Sequence, residues 1–172
     1  FAIDTPVAGT LALGFRHPSG ASSTGTPLSL SVFDENNNVV YQKTERGNDF
    51  FTAELPGGGT YYVKLGDVTY DGLEPGRYSL MAGIASNGGS VLHGTGAADN
   101  LVNTGGNDVV DGGTGTDTLR YQGNAGQYTI TASAAGASVT GNGGTDTLFN
   151  IERVAFDDRT VALDTEGVPA QA

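Results

Sequence analysis

The chain has 172 residues and carries 19 acidic against 8 basic side chains, which gives a net charge of −11 at pH 7. This balance disfavours nucleic acid and anionic membranes as partners and favours cations. The chain contains no cysteine, which excludes a disulfide framework, cysteine-ligated zinc and thiol catalysis. It also has no apolar run near the roughly 18–20 residues that span a bilayer, so we predict no membrane insertion.

The acidic surplus is concentrated in the second half. Residues 1–90 hold nine acidic and five basic side chains, whereas residues 91–172 hold ten and three and include no lysine. The second half also contains β-forming apolar residues, and its charges repel each other unless a cation is bound. The segment therefore indicates metal-assisted folding, with a merely solvated acidic surface as the alternative.

Residues 1–85 show short apolar and polar alternation without helical periodicity, the pattern of an antiparallel sandwich. Turns rich in Gly, Asn and Pro separate the strands. The third and fourth strands form a hairpin. The predicted strands are Phe1–Asp4, Thr10–Arg16, Leu28–Phe33, Val39–Lys43, Phe50–Leu55, Thr60–Leu65 and Tyr78–Ala82.

The end of this segment reads Gly58-Gly-Thr-Tyr-Tyr-Val-Lys-Leu followed by Gly76-Arg-Tyr-Ser-Leu, which we interpret as the last strand pair. With the strand order before it, this ending resembles the bacterial pre-peptidase C-terminal domain family. The resemblance covers roughly residues 1–85. It implies a jelly-roll-like antiparallel β-sandwich of the accessory kind found beside secreted peptidases and other exported hydrolases.

The chain is expected to contain two folded parts. We place the β-sandwich at residues 1–85, a glycine-bearing junction at 86–92, a second domain at 93–164 and a linker at 165–172. The chain begins within a predicted strand, so we expect it to be part of a longer protein with further domains on both sides.

Internal repeats dominate the second domain. Acidic residues nine apart are each followed, two residues later, by an apolar residue at the same spacing. The pairs are Asp99 and Leu101, Asp108 and Val110, and Asp117 and Leu119. The nonapeptides are repeat 1 (94–102), repeat 2 (103–111) and repeat 3 (112–120). We expect six-residue turns alternating with short strands, with the apolar residue pointing inward, so that turns on one side recur every eighteen residues.

This spacing predicts a Ca²⁺ site between repeats 1 and 3. Glycine permits the unusual backbone angles that turn carbonyls inward, and a carboxylate adds the charge that a cage of carbonyls lacks. Mg²⁺ fits less well because it requires a rigid octahedron and keeps its waters. The proposed ligands are the carboxylates of Asp99 and Asp117 with the carbonyls of Gly94, Gly96, Gly113 and Gly115.

A displaced copy of the repeat follows at Gly141-Asn-Gly-Gly-Thr-Asp-Thr-Leu. If residues 122–140 form a hairpin and the chain then returns, Asp146 faces Asp108 on the opposite side. A second Ca²⁺ site would then take carbonyls from Asn103, Gly105, Asn142 and Gly144. An ordinary glycine-rich hairpin turn is the alternative.

Residues 93–164 resemble the end of RTX (haemolysin-type calcium-binding) proteins, through these repeats and the segment Gly144-Thr-Asp-Thr-Leu-Phe-Asn-Ile-Glu-Arg-Val-Ala-Phe-Asp-Asp. The resemblance implies a short calcium-binding parallel β-roll with a β-hairpin extension. It also implies Ca²⁺-triggered folding outside the cell, export by type I secretion, and a secreted or cell-surface location.

Other candidate sites carry weaker signals. His17 and His93 lack the partners of a zinc site or a catalytic triad, and no Gly-x-Ser-x-Gly motif is present. Asp67, Asp71 and Glu74 lie close together in sequence and suggest either another cation site or a solvated turn. The seven tyrosines fit core packing or a sugar-stacking surface.

These observations favour a non-catalytic, calcium-binding accessory and export module of a larger secreted bacterial protein. The alternative is a glycan- or peptide-binding domain of a calcium-dependent bacterial adhesin. An enzyme in its own right is the third interpretation, and the missing catalytic motifs argue against it.

Overall fold

The computed structural model describes residues 1–16, 27–46, 49–67, 79–133 and 136–163. It is nearly all β, with 60% strand and 2% helix, antiparallel strand pairs in both units and no closed barrel within the described residues, so the prediction of an all-β chain is confirmed. The chain divides into two compact units, Phe1–Ile84 and Ala85–Ala172.

The first unit and its boundary contain seven strands: β1 Ala2–Thr5, β2 Gly9–Arg16, β3 Pro27–Phe33, β4 Val39–Arg46, β5 Asp49–Leu55, β6 Gly59–Asp67 and β7 Ser79–Ser86. They form one sheet in the order β1-β6-β3-β4 and another in the order β5-β2-β7. The register is antiparallel in the β1/β6, β2/β5, β3/β4 and β3/β6 pairs.

Side-chain alternation explains how these strands build a core. In β6, Tyr61 and Val63 are buried while Tyr62 and Lys64 are exposed, as a period of two requires. Both sheets contribute to one hydrophobic cluster, which contains Leu11, Leu13, Leu30, Val32, Phe51, Ala53, Leu55, Tyr61 and Val63.

All seven predicted strands of the first half are present, with small shifts at their ends. The β3/β4 hairpin is confirmed by its register, which runs from Pro27 opposite Arg46 to Phe33 opposite Val39. The prediction of a last strand pair was wrong in its pairing, because β6 and β7 belong to different sheets. The consecutive strands β6 and β7 are thus placed apart, which local sequence patterns do not reveal.

The second unit begins with very short strands: β8 Val91–His93, β9 Asn100–Val102, β10 Val109–Asp111 and β11 Thr118–Arg120. After the 3₁₀ turn Ala125–Gln127 come β12 Thr129–Ser133, β13 Gly136–Gly141, β14 Gly144–Phe149, β15 Arg153–Ala155 and β16 Thr160–Ala162. The sheet orders are β12-β13-β14-β10-β8 and β16-β15-β11-β9, so successive strands from β8 to β11 alternate between the two sheets.

The central strands of both sheets are parallel. Leu92, Val110 and Leu148 stand in register in one sheet, and Leu101, Leu119 and Val154 in the other. All six side chains belong to one hydrophobic cluster or pack against it. The inward-pointing apolar position of each repeat, predicted from the nine-residue spacing, is therefore the core of this unit.

Residues 86–92, predicted as a junction, instead belong to the second unit. Ser86 forms a β-bridge with Asn107, and β8 pairs with β10. Leu92 lies nine residues before Leu101 and occupies the same inward position. The segment is an additional, degenerate repeat that lacks the acidic residue, because Ser90 stands where the others have Asp.

Antiparallel strands close the parallel stack at its C-terminal end. The hairpin β12/β13 interrupts the repeats after β11, and β13 then pairs with β14. On the other sheet β16 pairs with β15. Tyr121, Tyr128 and Phe156 pack their rings together, with centroids 5.1 to 5.7 Å apart. The predicted linker, 165–172, lies outside the described residues.

Candidate metal centre

Loops between the two sheets stack on two sides of the second unit. Loops 94–99, 112–117 and 150–152 lead from the β8/β10/β14 sheet to the β9/β11/β15 sheet, and we call them the first side. Loops 87–90 and 103–108 precede β8 and β10, and together with the turn 142–143 and the start of β14 as far as Asp146 they form the second side.

On the first side, successive loops are joined by bonds from a backbone N–H to a carboxylate. The N–H of Asp99 donates to Asp117 Oδ1 over 2.8 Å, and the N–H of Asp117 donates to Glu152 Oε2 over 2.7 Å. Asp99 and Asp117 are 18 residues apart in sequence. The structure thus brings together the two acidic residues that the repeat spacing pairs, and adds Glu152 as a third member of the row.

The second side repeats this arrangement. The N–H of Ser90 donates to Asp108 Oδ1 over 2.6 Å, and the N–H of Asp108 donates to Asp146 Oδ1 over 2.8 Å. Asp146 therefore faces Asp108 although 38 residues separate them in sequence. The hairpin between them leaves the stacking of the loops intact.

Two of the acidic side chains are satisfied by a threonine of their own loop. Asp99 Oδ2 accepts the backbone N–H of Thr95 over 2.6 Å and its hydroxyl over 2.9 Å. Asp108 receives the N–H of Thr104 on Oδ2 over 2.8 Å and its hydroxyl on Oδ1 over 2.6 Å. Both threonines stand at the second position of their repeats, so this position controls how many donors reach the carboxylate.

Asp117 differs because Gly113 occupies that second position. Glycine has no hydroxyl, and the N–H of Gly113 donates to Asp111 Oδ1 over 3.1 Å instead. The side chain of Asp117 is 0% exposed, and its Oδ2 has no hydrogen-bond partner. Among the described residues it is the only buried side-chain polar atom in this condition. A buried carboxylate oxygen without a donor is costly unless a cation neutralises it.

The carboxylates of Asp108 and Asp146 accept hydrogen bonds from other side chains. The amide nitrogen of Asn103 lies 3.1 Å from Asp108 Oδ2 and 2.8 Å from Asp146 Oδ2, and the Tyr121 hydroxyl donates to Asp146 Oδ2 over 2.7 Å. Burial raises the pKa of Asp146, while the Asp108 N–H and Tyr121 hydroxyl oppose the rise. Burial, and then the bond to Asp146, raise the pKa of Tyr121 far above its usual value.

The four glycines predicted for the first site lie in the facing loops 94–99 and 112–117. Gly94 packs against the carbonyl of Gly112, Gly113 against that of Thr95, and Gly115 against Ala97. The carbonyl of Gly96 accepts the hydroxyl of Thr114 over 3.3 Å. Close backbone stacking, which a Cβ on Gly94, Gly113 or Gly115 would prevent, is therefore one reason for these glycines.

The residues predicted for the second site are brought together only in part. Asn103 contacts both carboxylates through its side-chain amide, and Gly144 packs against the carbonyl of Gly106. Gly105 has its N–H bonded to Asn103 Oδ1. Asn142 lies in the turn between β13 and β14, with φ of 45°, and donates to the Tyr128 hydroxyl over 2.6 Å. Its placement is that of a hairpin turn.

Two members of the rows were missed by the sequence analysis. Glu152 escaped because its loop, 150–152, has three residues where the repeats have six. The signal that could have identified it is Val154, two residues later, which repeats the spacing between Asp117 and Leu119. Ser90 escaped because it has no carboxylate, although it stands nine residues before Asp99.

The remaining candidates add little in the described residues. His93 Nε2 lies 3.7 Å from Asp111 Oδ2. His17, Asp71 and Glu74 lie outside the described residues, as does the side chain of Asp67. Among the described residues no group of three or more His, Cys, Asp or Glu side chains is placed to hold a metal. A cation here therefore requires backbone carbonyls in addition to carboxylates.

No family model, curated protein or solved structure matches this chain. In the described part of the chain, no helix is long and apolar enough to cross a membrane. The candidate centre is therefore defined by its own geometry, which consists of a row of stacked loops whose central carboxylate, Asp117, has one oxygen without a donor.

Proposed function

We propose that this chain is a non-catalytic, calcium-binding accessory and export module of a larger secreted bacterial protein. The observation that carries the proposal is the buried Oδ2 of Asp117, which has no hydrogen-bond partner. Ca²⁺ suits this position because it accepts six to eight oxygen ligands in flexible geometry. In this interpretation the second unit is a short calcium-binding parallel β-roll with a hairpin extension, and the first is a jelly-roll-like sandwich.

The residues around the row fit a cation in chemical type. Asp99, Asp117 and Glu152, the three members of the first-side row, all offer carboxylate oxygens, and the stacked loops present carbonyls close together. Asp99 Oδ2 already accepts two hydrogen bonds from Thr95, whereas Asp117 Oδ2 accepts none, so we assign Asp117 as the ligand whose oxygen is available to a cation. Bound Ca²⁺ would supply the positive charge that an acidic unit with no lysine lacks.

Folding outside the cell follows from this proposal by linkage. A ligand that binds only the folded state stabilises it by about 2.7 kcal/mol at a concentration of 100 times Kd. Sites of extracellular modules commonly have Kd of about 10⁻⁴–10⁻³ M. Such a module would remain loosely folded at low Ca²⁺ and become firmly folded when external Ca²⁺ is high, which suits export as an unfolded chain.

Thermal unfolding tests the proposal. The full chain is melted in EGTA, in CaCl₂ and in MgCl₂, and followed by near-UV circular dichroism. The chain has no tryptophan, so the packed rings of Tyr121, Tyr128 and Phe156 contribute a near-UV signal from the second unit. We expect CaCl₂ to raise the melting temperature and MgCl₂ to have little effect. Identical melting in EGTA and CaCl₂ would remove the structural role of calcium.

A glycan- or peptide-binding domain of an adhesin is the second candidate, and one feature of the first unit favours it. Tyr62 and Val39 are 50% and 56% exposed, and both stand opposite Phe33 in the register of the sheet. They form an apolar row across three strands on the face away from the buried side chains. A glycan array probed with the full chain and with Tyr62→Ala tests this candidate. If both proteins give only the background signal on every glycan, glycan binding is excluded.

A further inference from the structure

One sheet of the second unit carries all of its basic side chains, which are Arg120, Arg153 and Arg159. Arg120 lies in β11 and Arg153 in the neighbouring strand β15. Arg159 lies in the turn between β15 and β16, where its carbonyl accepts the N–H of Phe156 over 2.8 Å. The positive charge of an otherwise acidic unit is therefore concentrated in one sheet.

Arg120 and Arg153 point away from the core of the unit. Leu119 and Val154, which adjoin them in sequence, are 0% exposed, and side chains alternate between the two faces of a strand. The side chain of Arg120 is 68% exposed, and Arg153 is also exposed. We call the outward side of β9, β11, β15 and β16 the arginine face.

The register of the sheet sets the distance between the two arginines. Thr118 stands opposite Arg153, and Arg120 stands opposite Ala155, so the arginines lie on adjacent strands and two positions apart. A strand spacing of about 4.8 Å and a rise of about 3.3 Å per residue place their Cα atoms about 8 Å apart. Two guanidinium groups at this distance repel each other, and each can form a bidentate pair with a carboxylate.

The acidic side chains that adjoin these arginines in sequence already accept hydrogen bonds. Glu152, Asp157 and Asp158 each accept a backbone N–H over 2.7 Å, and Asp157 Oδ1 lies 3.9 Å from Arg120 Nη2. The side chain of Arg153 forms no ion pair or hydrogen bond within the described residues. Charges beyond about 8 Å are largely screened at physiological salt. The arginine face therefore attracts anions although the whole chain is acidic.

The other outward positions of this face indicate which kind of anion it fits. The six of them hold only Asn, Thr, Ala and Val, and the one large apolar side chain, Val102, stands in the edge strand β9. Protein interfaces depend on buried aromatic and apolar anchors, and single-stranded nucleic acid stacks on aromatic rings. This face has neither. Its hydroxyl and amide groups instead suit a narrow, hydroxyl-rich chain that carries carboxylates.

We propose that the arginine face binds an acidic polysaccharide, a linear chain of sugars that carry carboxylates, with Arg120 and Arg153 each pairing with one carboxylate. The proposal uses no calcium ligand and concerns a different surface from the Tyr62 row of the first unit. An exposed ion pair contributes little by itself, so binding depends on contacts with several sugars of one chain. An oligosaccharide should therefore bind much more tightly than its monomer.

Isothermal titration of the full chain with a short oligogalacturonate tests the proposal. We expect Arg153→Gln to weaken binding about two- to fivefold, and the double variant with Arg120→Gln to weaken it further. Arg153→Lys keeps the charge but lacks the planar fork, so it should bind with intermediate affinity. Lys64→Gln is the matched control, because it removes one charge from an exposed strand position of the first unit and should bind like the wild type.

Two further polymers show what the face recognises. Neutral dextran should not bind, and polyglutamate should bind more weakly than the oligogalacturonate. All titrations use the buffer, with EGTA or CaCl₂, in which near-UV circular dichroism shows the second unit folded. The proposal is overturned if the folded wild type binds no oligogalacturonate, or if polyglutamate binds equally well. If Lys64→Gln weakens binding and Arg153→Gln does not, the sugar lies on the first unit instead. None of these results bears on the calcium proposal, which the melting experiment tests separately.

Discussion

Asp117→Asn should have opposite effects on stability with and without calcium. An asparagine keeps an oxygen for the Asp99 N–H and places an NH₂ group where Oδ2 now stands, beside the Asn150 carbonyl. The variant thus replaces a buried acceptor that has no hydrogen-bond partner with a donor, and we expect the Asn150 carbonyl to accept from it. It also removes a buried charge from an acidic unit.

The size of the effect follows from this single change. A net intramolecular hydrogen bond contributes about 0.5–1.5 kcal/mol. For a unit of this length, about 1 kcal/mol corresponds to a shift in melting temperature of about 4–8 °C. We therefore expect Asp117→Asn to melt several degrees above the wild type in EGTA. In CaCl₂ at about 100 times Kd the wild type gains about 2.7 kcal/mol, which the variant largely forfeits, so the order reverses.

Asp99→Asn is the matched control for this experiment. It makes the same chemical change at the same position of an equivalent loop, but Asp99 Oδ2 already accepts two bonds from Thr95. A new NH₂ group there gains no acceptor, so no rise in melting temperature is expected. Thermal unfolding of all three proteins in EGTA and in CaCl₂ provides the comparison. If Asp117→Asn melts at or below the wild type in EGTA, the reasoning about the unpartnered oxygen is refuted.

Three further predictions concern the packing and polar contacts of the second unit. Leu119→Ala, at a 0% exposed position, should lower the free energy of unfolding by about 2–5 kcal/mol in urea titrations, and a change below about 1 kcal/mol would contradict its place in the core. Gly144→Ala should cost about 1–3 kcal/mol by overpacking, whereas Gly126→Ala, with open space around it, should be nearly neutral; equal melting temperatures would contradict the close stacking. Tyr121→Phe removes a donor from Asp146 and should cost about 1–3 kcal/mol at pH 7. The pKa of Asp146 is raised in the folded state, so the stability linked to its protonation is fully present below pH 3.8 and is lost as pH rises through the folded-state pKa. Loss of the Tyr121 hydroxyl raises this pKa further, so the destabilisation caused by Tyr121→Phe should be smaller near pH 3 than at pH 7. Urea titrations of the wild type and the variant at pH 3 and pH 7 test this, and an equal destabilisation at both pH values would contradict it.

Much of the fold follows from short-range patterns in the sequence. The alternation of Tyr61 and Tyr62 gives the buried and exposed faces of β6, and turn residues give the ends of the strands. The pairing of strands did not follow, since β6 and β7 are consecutive but lie in different sheets. Such pairing depends on long-range packing, which a local period does not encode.

For the candidate site, periodicity predicted which acidic residues meet. The spacing of eighteen placed Asp99 against Asp117, and the displaced copy placed Asp146 against Asp108. The number of donors around each carboxylate did not follow from the spacing. It depends on one neighbouring side chain, such as Thr95, whose hydroxyl donates to the Asp99 carboxylate of the same loop.

The N–H to carboxylate bonds of the two rows all run in one direction, and this direction limits where further repeats can be added to the second unit. Each carboxylate accepts the N–H of the preceding turn, so the first member of a row needs no acidic side chain of its own, as Ser90 illustrates. At the far end, β13 and β16 run antiparallel and terminate the parallel stack. Gene duplications of 18 residues would therefore be tolerated before β8 but not after β15, and a longer relative of this unit should have gained its extra turns on the N-terminal side.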